Sequence, residues 1–319
     1  MQRLTLPGTD MTVSQLCLGT NQFGTVVDDE RVADILAAYA ALGGNFLDTA
    51  ASYGDWMSTA PRGASELALG RWMARQRRED WVIATKGCEF DYRAGFTLRV
   101  SPEYLDGDIA GSLERLGVGY IDLYWLHRDD PAQPVQVLID ALIAQQQAGR
   151  IRHFGCSNWS PARIRQAQAH AAKLGHQGFV ACQPMWGLAE PDREAMQNYA
   201  PGGYYEDGYR ELHEQGLPMI PYSAQSRGVF SKLAIGVPLA ADIAALYGSD
   251  ANRRKLVVIE MIAARHGVSI NEVVLAYLLC QPYTTIPIIG CGNAQQLRES
   301  ALACELQLDA SELATLRNA

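Results

Sequence analysis

Eight short, nearly continuous apolar segments recur along the chain and alternate with stretches of helical periodicity. The apolar segments lie at residues 16–19, 45–49, 81–86, 121–127, 151–157, 179–184, 218–223 and 284–290. Their length is typical of β-strands, and most lack the polar–apolar alternation of a half-exposed sheet. Continuous apolar strands are typical of parallel sheets that are buried on both faces. We therefore predict eight parallel strands.

Segments with apolar residues at helical spacing follow these strands. They lie at residues 28–43, 64–76, 101–117, 134–149, 160–175, 204–216, 250–267 and 293–304, with further helices predicted at 269–281 and 309–318. Ser101 and Ser160 each precede a proline, the pattern of a helix N-cap followed by proline at the first helical position. Glycines such as Gly117 and Gly267 follow the helices as C-terminal stops.

The repeated strand–helix alternation shows no break in composition, so we predict one domain that spans residues 1–319. Eight such units are typical of an α/β fold, the (β/α)8 or TIM barrel. Residues 3–14 predict an N-terminal β-hairpin before the first barrel strand. Long loops follow strand six (residues 185–203) and strand seven (residues 224–249). Loops of this kind lie on the barrel face that carries active sites.

Four polar side chains stand at or just after the carboxyl ends of predicted strands. Asp48 ends strand two, Tyr53 follows it in a loop, and Lys86 and His127 end strands three and four. We expect Asp48 and Lys86 to form an ion pair, since neither charge is stable alone in a partly buried site. A lysine beside a phenol lowers the pKa of that phenol below about 10.

This set of residue types predicts the reduction of a carbonyl group by hydride. A tyrosine tuned by a lysine can donate a proton to an oxygen that gains negative charge. A neutral histidine can hold the same oxygen through a hydrogen bond and orient the carbonyl group. The alternative for each residue alone is a structural ion pair or ordinary packing, but the four together favour a catalytic site.

Composition narrows the class of protein further. The chain has a net charge of −8 and no long basic run, which disfavours nucleic-acid binding. Its seven cysteines are scattered without metal-ligand spacing, so we expect reduced thiols, no metal site and a cytoplasmic location. No apolar stretch is long enough to cross a membrane.

Sequence motifs around these residues resemble those of the aldo-keto reductases. They are "LDTAASYG", "IATKG", "LYWLHRDD", "GCSNWS", "CQPMW", "PYSAQSRGVFSKL" and "IPIIGCGNAQQLRES", and they cover essentially the whole chain. The resemblance implies a TIM barrel that binds an extended NAD(P)H without a Rossmann domain. It implies that Tyr53 donates the proton, that Asp48 and Lys86 tune it, and that His127 orients an aldehyde, ketone or keto-sugar.

The same resemblance implies a set of cofactor-binding residues. From the nicotinamide to the adenosine end they are Ser157, Asn158, Gln183, Tyr222, Ser223, Gln225, Ser226, Gly228, Gly290, Gly292, Gln296 and Glu299. The usual cofactor preference of the family favours NADP(H) over NAD(H). Gly292 and Gln296, however, supply no charge where NADPH-preferring members commonly carry a basic residue, and Ser300 replaces the closing asparagine of the motif. Arg298 or Arg227 could provide the missing charge, and NAD(H) stays open.

Aromatic side chains near the same face are candidates for lining a substrate pocket. Residues 54–65 form a longer link than usual after the tyrosine and bring Trp56 next to Tyr53. The other candidates are Phe23, Trp159 and Trp186. Arg128 and Asp129 beside these aromatics permit a polyol-like or sugar-like carbonyl compound.

Two other functions stay open at this point. The first is a nucleotide-sensing regulatory subunit that resembles the potassium-channel β subunits and turns over little substrate. The second is a Schiff-base aldolase built on Lys86, which the neighbouring Asp48 disfavours because an ion-paired lysine is a poor nucleophile. We expect a small-molecule carbonyl or alcohol substrate, no nucleic-acid or membrane partner, and an assembly that can be homo-oligomeric.

Overall fold

An antiparallel hairpin opens the chain and covers the amino end of a barrel. The structure is a computed structural model that describes residues 1–197 and 203–319. Strands β1 (Arg3–Thr5) and β2 (Thr12–Ser14) pair with Leu4 opposite Val13. The Asn45 amide, just before a barrel strand, accepts from the Ser14 backbone N–H at 2.8 Å. The predicted hairpin is therefore confirmed.

A curved parallel sheet forms most of the barrel. The remaining strands are β3 (Cys17–Gly19), β4 (Phe46–Asp48), β5 (Val82–Gly87), β6 (Phe90–Asp91), β7 (Thr97–Leu98), β8 (Ile121–Leu126), β9 (Ile151–Ser157), β10 (Cys182–Gln183) and β11 (Ile288–Gly290). The sheet order is β10-β9-β8-β5-β4-β3-β11, and all of these pairs are parallel. Strands β6 and β7 form a separate antiparallel hairpin after β5.

Residues 218–222 fill the gap between β10 and β11 and close the barrel. The Ile220 N–H donates to Cys182 O at 2.9 Å, and the Met219 N–H donates to Thr284 O at 3.0 Å. Two prolines in this segment, Pro218 and Pro221, have no N–H to donate, which explains why the pairing is interrupted. The predicted eight-stranded (β/α)8 barrel is confirmed, with strand seven shorter than predicted.

Helices surround the sheet and also occupy the two long loops. They are α1 (Asp29–Ala41), α2 (Ala64–Met73), α3 (Pro102–Leu116), α4 (Val135–Gln147), α5 (Pro161–Lys173), α6 (Arg193–Gln197), α7 (Asp207–Glu214), α8 (Val229–Ala234), α9 (Ala241–Tyr247), α10 (Asp250–His266), α11 (Ile270–Leu279), α12 (Ala294–Ala301) and α13 (Ala310–Asn318). Ser101 and Ser160 cap α3 and α5 as predicted. The loop after strand seven is partly helical, and the predicted loop 185–203 includes residues outside the described part of the chain.

Apolar side chains pack in two layers, one inside the barrel and one between the sheet and the helices. The inner layer includes Phe46, Val82 and Trp125, and the hairpin contributes Leu6 and Met11 to it. Burying large apolar side chains stabilises a fold by roughly 1.5–3 kcal/mol each. This filled interior leaves the carboxyl ends of the strands as the face where side chains can meet a ligand. Within the described residues, no helix is long and apolar enough to cross a membrane.

Candidate active site

Three neighbouring strands bring Asp48, Lys86 and His127 to one point at the carboxyl end of the barrel. Asp48 is the last residue of β4 and pairs with Ala84 of β5. Lys86 lies two residues further along β5, so its side chain has the same orientation as that of Ala84. His127 directly follows β8. The structure thus brings together the strand-end residues that the sequence singled out, and Tyr53 joins them from the turn after β4.

The Lys86 ammonium group makes three hydrogen bonds and is fully buried. Its Nζ donates to Asp48 Oδ2 at 2.5 Å, to Thr49 O at 2.8 Å and to Tyr53 Oη at 2.9 Å. An ammonium group has three donors, so all of them are used. Asp48 Oδ1 also accepts from the Gln183 amide at 3.0 Å. The predicted ion pair is therefore present, and it fixes the position of the Tyr53 hydroxyl.

The pKa of Tyr53 differs in direction from the sequence-based prediction. Burial raises it to about 12, and the Lys86 charge, which acts in the opposite direction, only partly offsets this. For Lys86, burial alone would lower the pKa, but Asp48 and Tyr53 together raise it above its ordinary value. The expectation that Lys86 lowers the pKa of Tyr53 below about 10 was wrong, because it left out the desolvation of the phenolate.

His127 lies beside Tyr53 and is uncharged at neutral pH. The two ring centroids are 5.9 Å apart in an edge-on arrangement. Burial, followed by the charges of Lys86 and Arg128, holds the pKa of His127 well below its ordinary value. Its Nδ1 is buried 3.1 Å from Glu89 Oε2, without the alignment of a good hydrogen bond. A neutral imidazole beside the tyrosine hydroxyl matches what the sequence predicts for a substrate-orienting residue.

Hydroxyl and amide groups form a second network next to the Asp48–Lys86 pair. Ser157 Oγ donates to Gln183 O at 2.9 Å, and Asn158 Nδ2 donates to Ser157 Oγ at 3.1 Å. The Tyr222 hydroxyl donates to Asn158 Oδ1 at 2.7 Å. Because the side chain of Gln183 also reaches Asp48, the two networks are continuous. This donor and acceptor set has the chemistry needed to hold a carboxamide, as the family resemblance implies.

The loop after residue 222 has a backbone suited to anions. Ser223, Ser226 and Arg227 have positive φ angles although they are not glycines, and Gly228 follows at φ 72°. Successive residues in such conformations can direct backbone N–H groups toward one point and form a concave site for phosphate oxygens. The strain of three non-glycine residues is a cost that functional sites often carry. Within the loop, the Ser226 and Gly228 N–H groups already donate to Ser223 O and Gln225 O, both at 2.8 Å, so a bound anion would depend on the remaining N–H groups.

Side chains at the predicted adenosine end are bonded mainly to one another. Gln296 Oε1 accepts from the Gly292 N–H at 2.8 Å. Gln225 Oε1 accepts from the Gly290 N–H at 3.3 Å, and its amide donates to Ser300 Oγ at 3.2 Å. These contacts join the two segments that would flank the adenosine.

Charged side chains near this end have different partners. Glu299 accepts from Gln295 on the exposed face of α12. Arg227 forms an ion pair with Asp242, and Arg298 is exposed on α12. Both arginines that the sequence offered for a 2′-phosphate are therefore exposed, and Arg227 is held by Asp242.

The aromatic residues proposed to line the substrate pocket fall into two groups. Phe23 and Trp159 are completely buried in the core, so packing replaces pocket lining as their role. Trp186 is also buried and stacks on Tyr205 with centroids 3.7 Å apart. Trp56, by contrast, is 48% exposed and lies 6.1 Å from the Tyr53 ring. Of the four candidates, Trp56 has the free surface that a ligand needs.

The β6–β7 hairpin, which the sequence analysis missed, forms a wall next to Trp56. Tyr92 from this hairpin lies 6.2 Å from the Trp56 ring. Arg93 donates to the backbone oxygens of Met57 and Ala60, at 3.2 Å and 2.7 Å. We call this set of Arg93 contacts the Arg93 clasp. The short alternation "FDYRAGFTL" around a glycine was the available signal for the hairpin.

Comparison with known proteins gives the class to which this site belongs. The Aldo/keto reductase family model matches residues 15–319. The uncharacterized oxidoreductase YrpG of Bacillus subtilis is 31% identical over 100% of this chain and 95% of that protein. The aldo-keto reductase ausK of Emericella nidulans is 29% identical over 99% of this chain and 80% of that protein.

A solved structure has the same fold. It is a thermostable aldo-keto reductase, Tm1743, in complex with the inhibitor epalrestat, with a TM-score of 0.75 and 24% identity over 100% of this chain and 99% of the other. The chain therefore belongs to the aldo/keto reductase family of oxidoreductases, whose members use NAD(P)H and act on small carbonyl compounds.

Proposed function

We propose that this protein reduces an aldehyde, ketone or keto-sugar to the alcohol, or catalyses the reverse reaction, with NAD(P)H as hydride donor. The observation that carries this proposal is the hydrogen bond of 2.9 Å between Lys86 Nζ and Tyr53 Oη. It places a buried cation beside a hydroxyl that can give a proton to a substrate oxygen. The bound nicotinamide would supply the hydride.

Tyr53 has the protonation state that a proton donor needs. With its pKa raised to about 12 by burial, the hydroxyl is protonated throughout the physiological range. Lys86 then stabilises the phenolate that remains after the proton has moved to the substrate oxygen. Asp48 keeps Lys86 charged and in place through the 2.5 Å contact. Tyr53, Lys86 and Asp48 would therefore act together as one general acid.

A nicotinamide dinucleotide would bind in extended form along the residues that the family resemblance assigns to it. Ser157, Asn158 and Gln183 would hold the carboxamide, and the Tyr222 ring would stack on the nicotinamide. The loop at residues 223–228 would hold the pyrophosphate through backbone N–H groups. The segments joined by Gln225 and Gln296 would flank the adenosine. The proposed preference for NADP(H) over NAD(H) rests on the usual cofactor preference of the family and on the exposed Arg298 of α12.

The decisive experiment is a turnover assay with NADPH and NADH over a panel of aldehydes, ketones and keto-sugars. Oxidation of the reduced nicotinamide, followed by its absorbance, is expected with at least one class of carbonyl. Tight cofactor binding without turnover on any substrate would instead support a nucleotide-sensing subunit. Trapping of a substrate on Lys86 by borohydride would support the aldolase alternative. We place the activity in the cytoplasm, since all seven cysteines are free thiols.

A further inference from the structure

Arg128 is a mostly buried arginine that directly follows His127, and the proposed reaction gives it no direct task. Its side chain is only 16% exposed. Nε donates to Glu89 Oε1 at 2.9 Å. Nη1, by contrast, is buried and has no hydrogen-bond partner among the residues that the structure describes. Nη1 carries two of the five N–H donors of the guanidinium group, so a buried cation lacks acceptors on one edge.

A neighbouring arginine of almost equal burial has a complete set of partners. Arg163 is 15% exposed and, like Arg128, pairs with one carboxylate, that of Asp129. Its Nε and Nη2 both donate to Asp129, and Nη2 also donates to the backbone oxygens of Asp130 and Gln133, at 3.1 Å and 3.0 Å. Leaving a buried donor without an acceptor is costly. The contrast therefore indicates that Arg128 has a further acceptor in the working protein.

Arg128 lies beside the space that a substrate would occupy next to Tyr53. The Trp56 ring centroid lies 6.1 Å from that of Tyr53 and 6.2 Å from that of Tyr92, while the His127 ring lies 5.9 Å from Tyr53. Arg128 follows His127 in the chain and is also close to Tyr92. Burial raises the pKa of Tyr92 to about 12, and the Arg128 charge acts against this rise. Arg128 thus stands between the two ends of this row of rings.

The neighbours of the guanidinium group restrict which edge can meet a ligand. Glu89 occupies Nε, and Cζ lies 5.4 Å from the centroid of the Phe90 ring, which covers one side. The edge that includes Nη1 has no acceptor among the described residues. Because part of the side chain stays exposed, a ligand can reach it. Arginine binds carboxylates through pairs of parallel hydrogen bonds, which suits an edge with several unused donors.

We propose that Arg128 is a specificity-determining residue that binds a carboxylate on the substrate, so that the substrate is an oxo acid, a carbonyl compound that also carries a carboxylate. This inference rests on the proposed function. The carboxylate would supply the acceptors that Nη1 lacks, while the carbonyl group stays with Tyr53 and His127. A neutral hydroxyl group could also accept from Arg128, but a charged acceptor makes a hydrogen bond about twice as strong.

Three pairs of carbonyl compounds test this substrate class at different spacings between carboxylate and carbonyl. They are phenylglyoxylate, 3-formylbenzoate and 4-formylbenzoate, each compared with its primary amide, which has nearly the same shape. We expect the unmodified enzyme to prefer the carboxylate in kcat/KM, in at least one pair, by roughly fivefold to thirtyfold. This is the difference between a charged and a neutral hydrogen bond. Equal kcat/KM values within all three pairs would overturn the inference.

Arg128→Gln should remove the preference for the carboxylate. Because this change leaves Glu89 buried without its cation, the double variant Glu89→Gln/Arg128→Gln repeats the test with both charges removed. Glu89→Gln alone removes the carboxylate that competes for Arg128, and should raise the preference by up to about fivefold, the size of a weak ion pair. An arginine with a purely structural role would not give this increase, so an unchanged or lower preference would contradict the proposal.

Arg163→Gln is the matched control for Arg128→Gln. It also removes a mostly buried arginine with one carboxylate partner, Asp129. It should lower the free energy of unfolding, measured by denaturant titration, and leave the preference between carboxylate and amide unchanged. Loss of the preference in this variant would mean that Arg128 is not the residue that recognises the carboxylate.

Calorimetric titration separates this inference from the proposed function. With NADP+ bound, the enzyme cannot reduce the compounds, so the titration measures binding alone. In at least one pair the carboxylate should bind more tightly than the amide, and the double variant should abolish the difference. Such binding without turnover on any carbonyl compound would count against the proposed function and leave the carboxylate site standing. Equal binding within every pair, together with turnover on neutral carbonyl compounds, would overturn the inference and leave the proposed function intact.

Discussion

Each end of the barrel has a buried aspartate bonded to cationic side chains, but the two networks terminate differently. Near the amino end, Asp122 accepts from Arg78 at 2.5 Å, from the Ile83 N–H at 2.9 Å and from Arg152 at 2.9 Å. At the carboxyl end, Asp48 accepts from Lys86 and Gln183. Both oxygens of each carboxylate accept at least one hydrogen bond. A guanidinium group does not lose its proton, whereas Lys86 is bonded to the Tyr53 hydroxyl, a group that can lose its proton.

This contrast shows that burial and pairing alone do not mark a catalytic charge. What distinguishes the Asp48 network is the group at its far end, the Tyr53 hydroxyl, which can transfer a proton to a ligand. The Asp122 network ends on the exposed carboxylate of Asp10 through Arg152. We therefore expect changes at the carboxyl end to affect the rate and changes at the amino end to affect stability.

The largest expected effect on rate comes from Tyr53→Phe, which removes the proton donor and keeps the ring. Reduction should fall by about 10²- to 10⁴-fold, the usual contribution of general acid catalysis. The affinity for NADPH, measured by fluorescence titration, should stay nearly the same. Tyr39→Phe is the matched control, since Tyr39 is a buried tyrosine bonded to Ser14 near the amino end. A Tyr53→Phe enzyme with the unmodified rate would rule out the proposed acid.

Asp122→Ala tests the opposite end of the barrel. Removing Asp122 leaves the Arg78 charge near the sheet without its carboxylate partner, while Arg152 keeps only its contact with Asp10. The free energy of unfolding should therefore fall by roughly 3–5 kcal/mol. Denaturant titration measures this change, and kcat of the folded enzyme should stay within about twofold of the unmodified value, as expected for a site without substrate contact. A large loss of kcat in a fully folded Asp122→Ala enzyme would contradict the expectation that the amino end of the barrel affects only stability.

The pH dependence tests the direction of the Tyr53 pKa. Because the pKa is raised to about 12, the acid form persists and the rate of reduction should stay flat between about pH 7 and pH 10. Alcohol oxidation needs the phenolate, whose fraction rises nearly tenfold per pH unit below the pKa. The oxidation rate should therefore keep rising over this range. A plateau near neutral pH would show that the pKa of Tyr53 is lowered in the complex with cofactor and substrate.

The smallest expected effect is on the choice of cofactor. A Cβ atom added at Gly292 would meet only the tip of Gln296, at 3.4 Å, so the first atom of the arginine side chain in Gly292→Arg is accommodated. The new charge should raise the NADPH/NADH preference in kcat/KM by up to about fivefold, the size of an exposed ion pair. An unchanged ratio would mean that the 2′-phosphate is recognised elsewhere.

Periodicity and strand-end residues were enough to predict the fold and the contacts of Asp48, Lys86 and Tyr53. The prediction worked because buried parallel strands leave a continuous apolar pattern and because parallel strands bring their carboxyl ends together. Strand seven was predicted too long, since two prolines interrupt its pairing. The helices α8 and α9 were missed because they are short and lie inside what the pattern presents as a loop.

Other features of the site depend on tertiary contacts that no local pattern reveals. The burial of Phe23 and Trp159 depends on which neighbours cover them. The raised pKa of Tyr53 depends on the balance between desolvation and one charge, and the sequence gives the charge alone. Glu89 was missed because it follows Cys88, whose backbone is left-handed, and a cysteine in the sequence does not indicate such a conformation.

The Arg93 clasp links the β6–β7 hairpin to the loop that carries Trp56. Arg93 joins the β6–β7 hairpin to Met57 and Ala60, and Arg62 adds an ion pair with Asp91 across the same boundary. Trp56 and Tyr92 therefore keep their relative positions when either loop moves. Transplanting one loop from a relative would break these contacts, so we expect the two loops to be exchangeable only together.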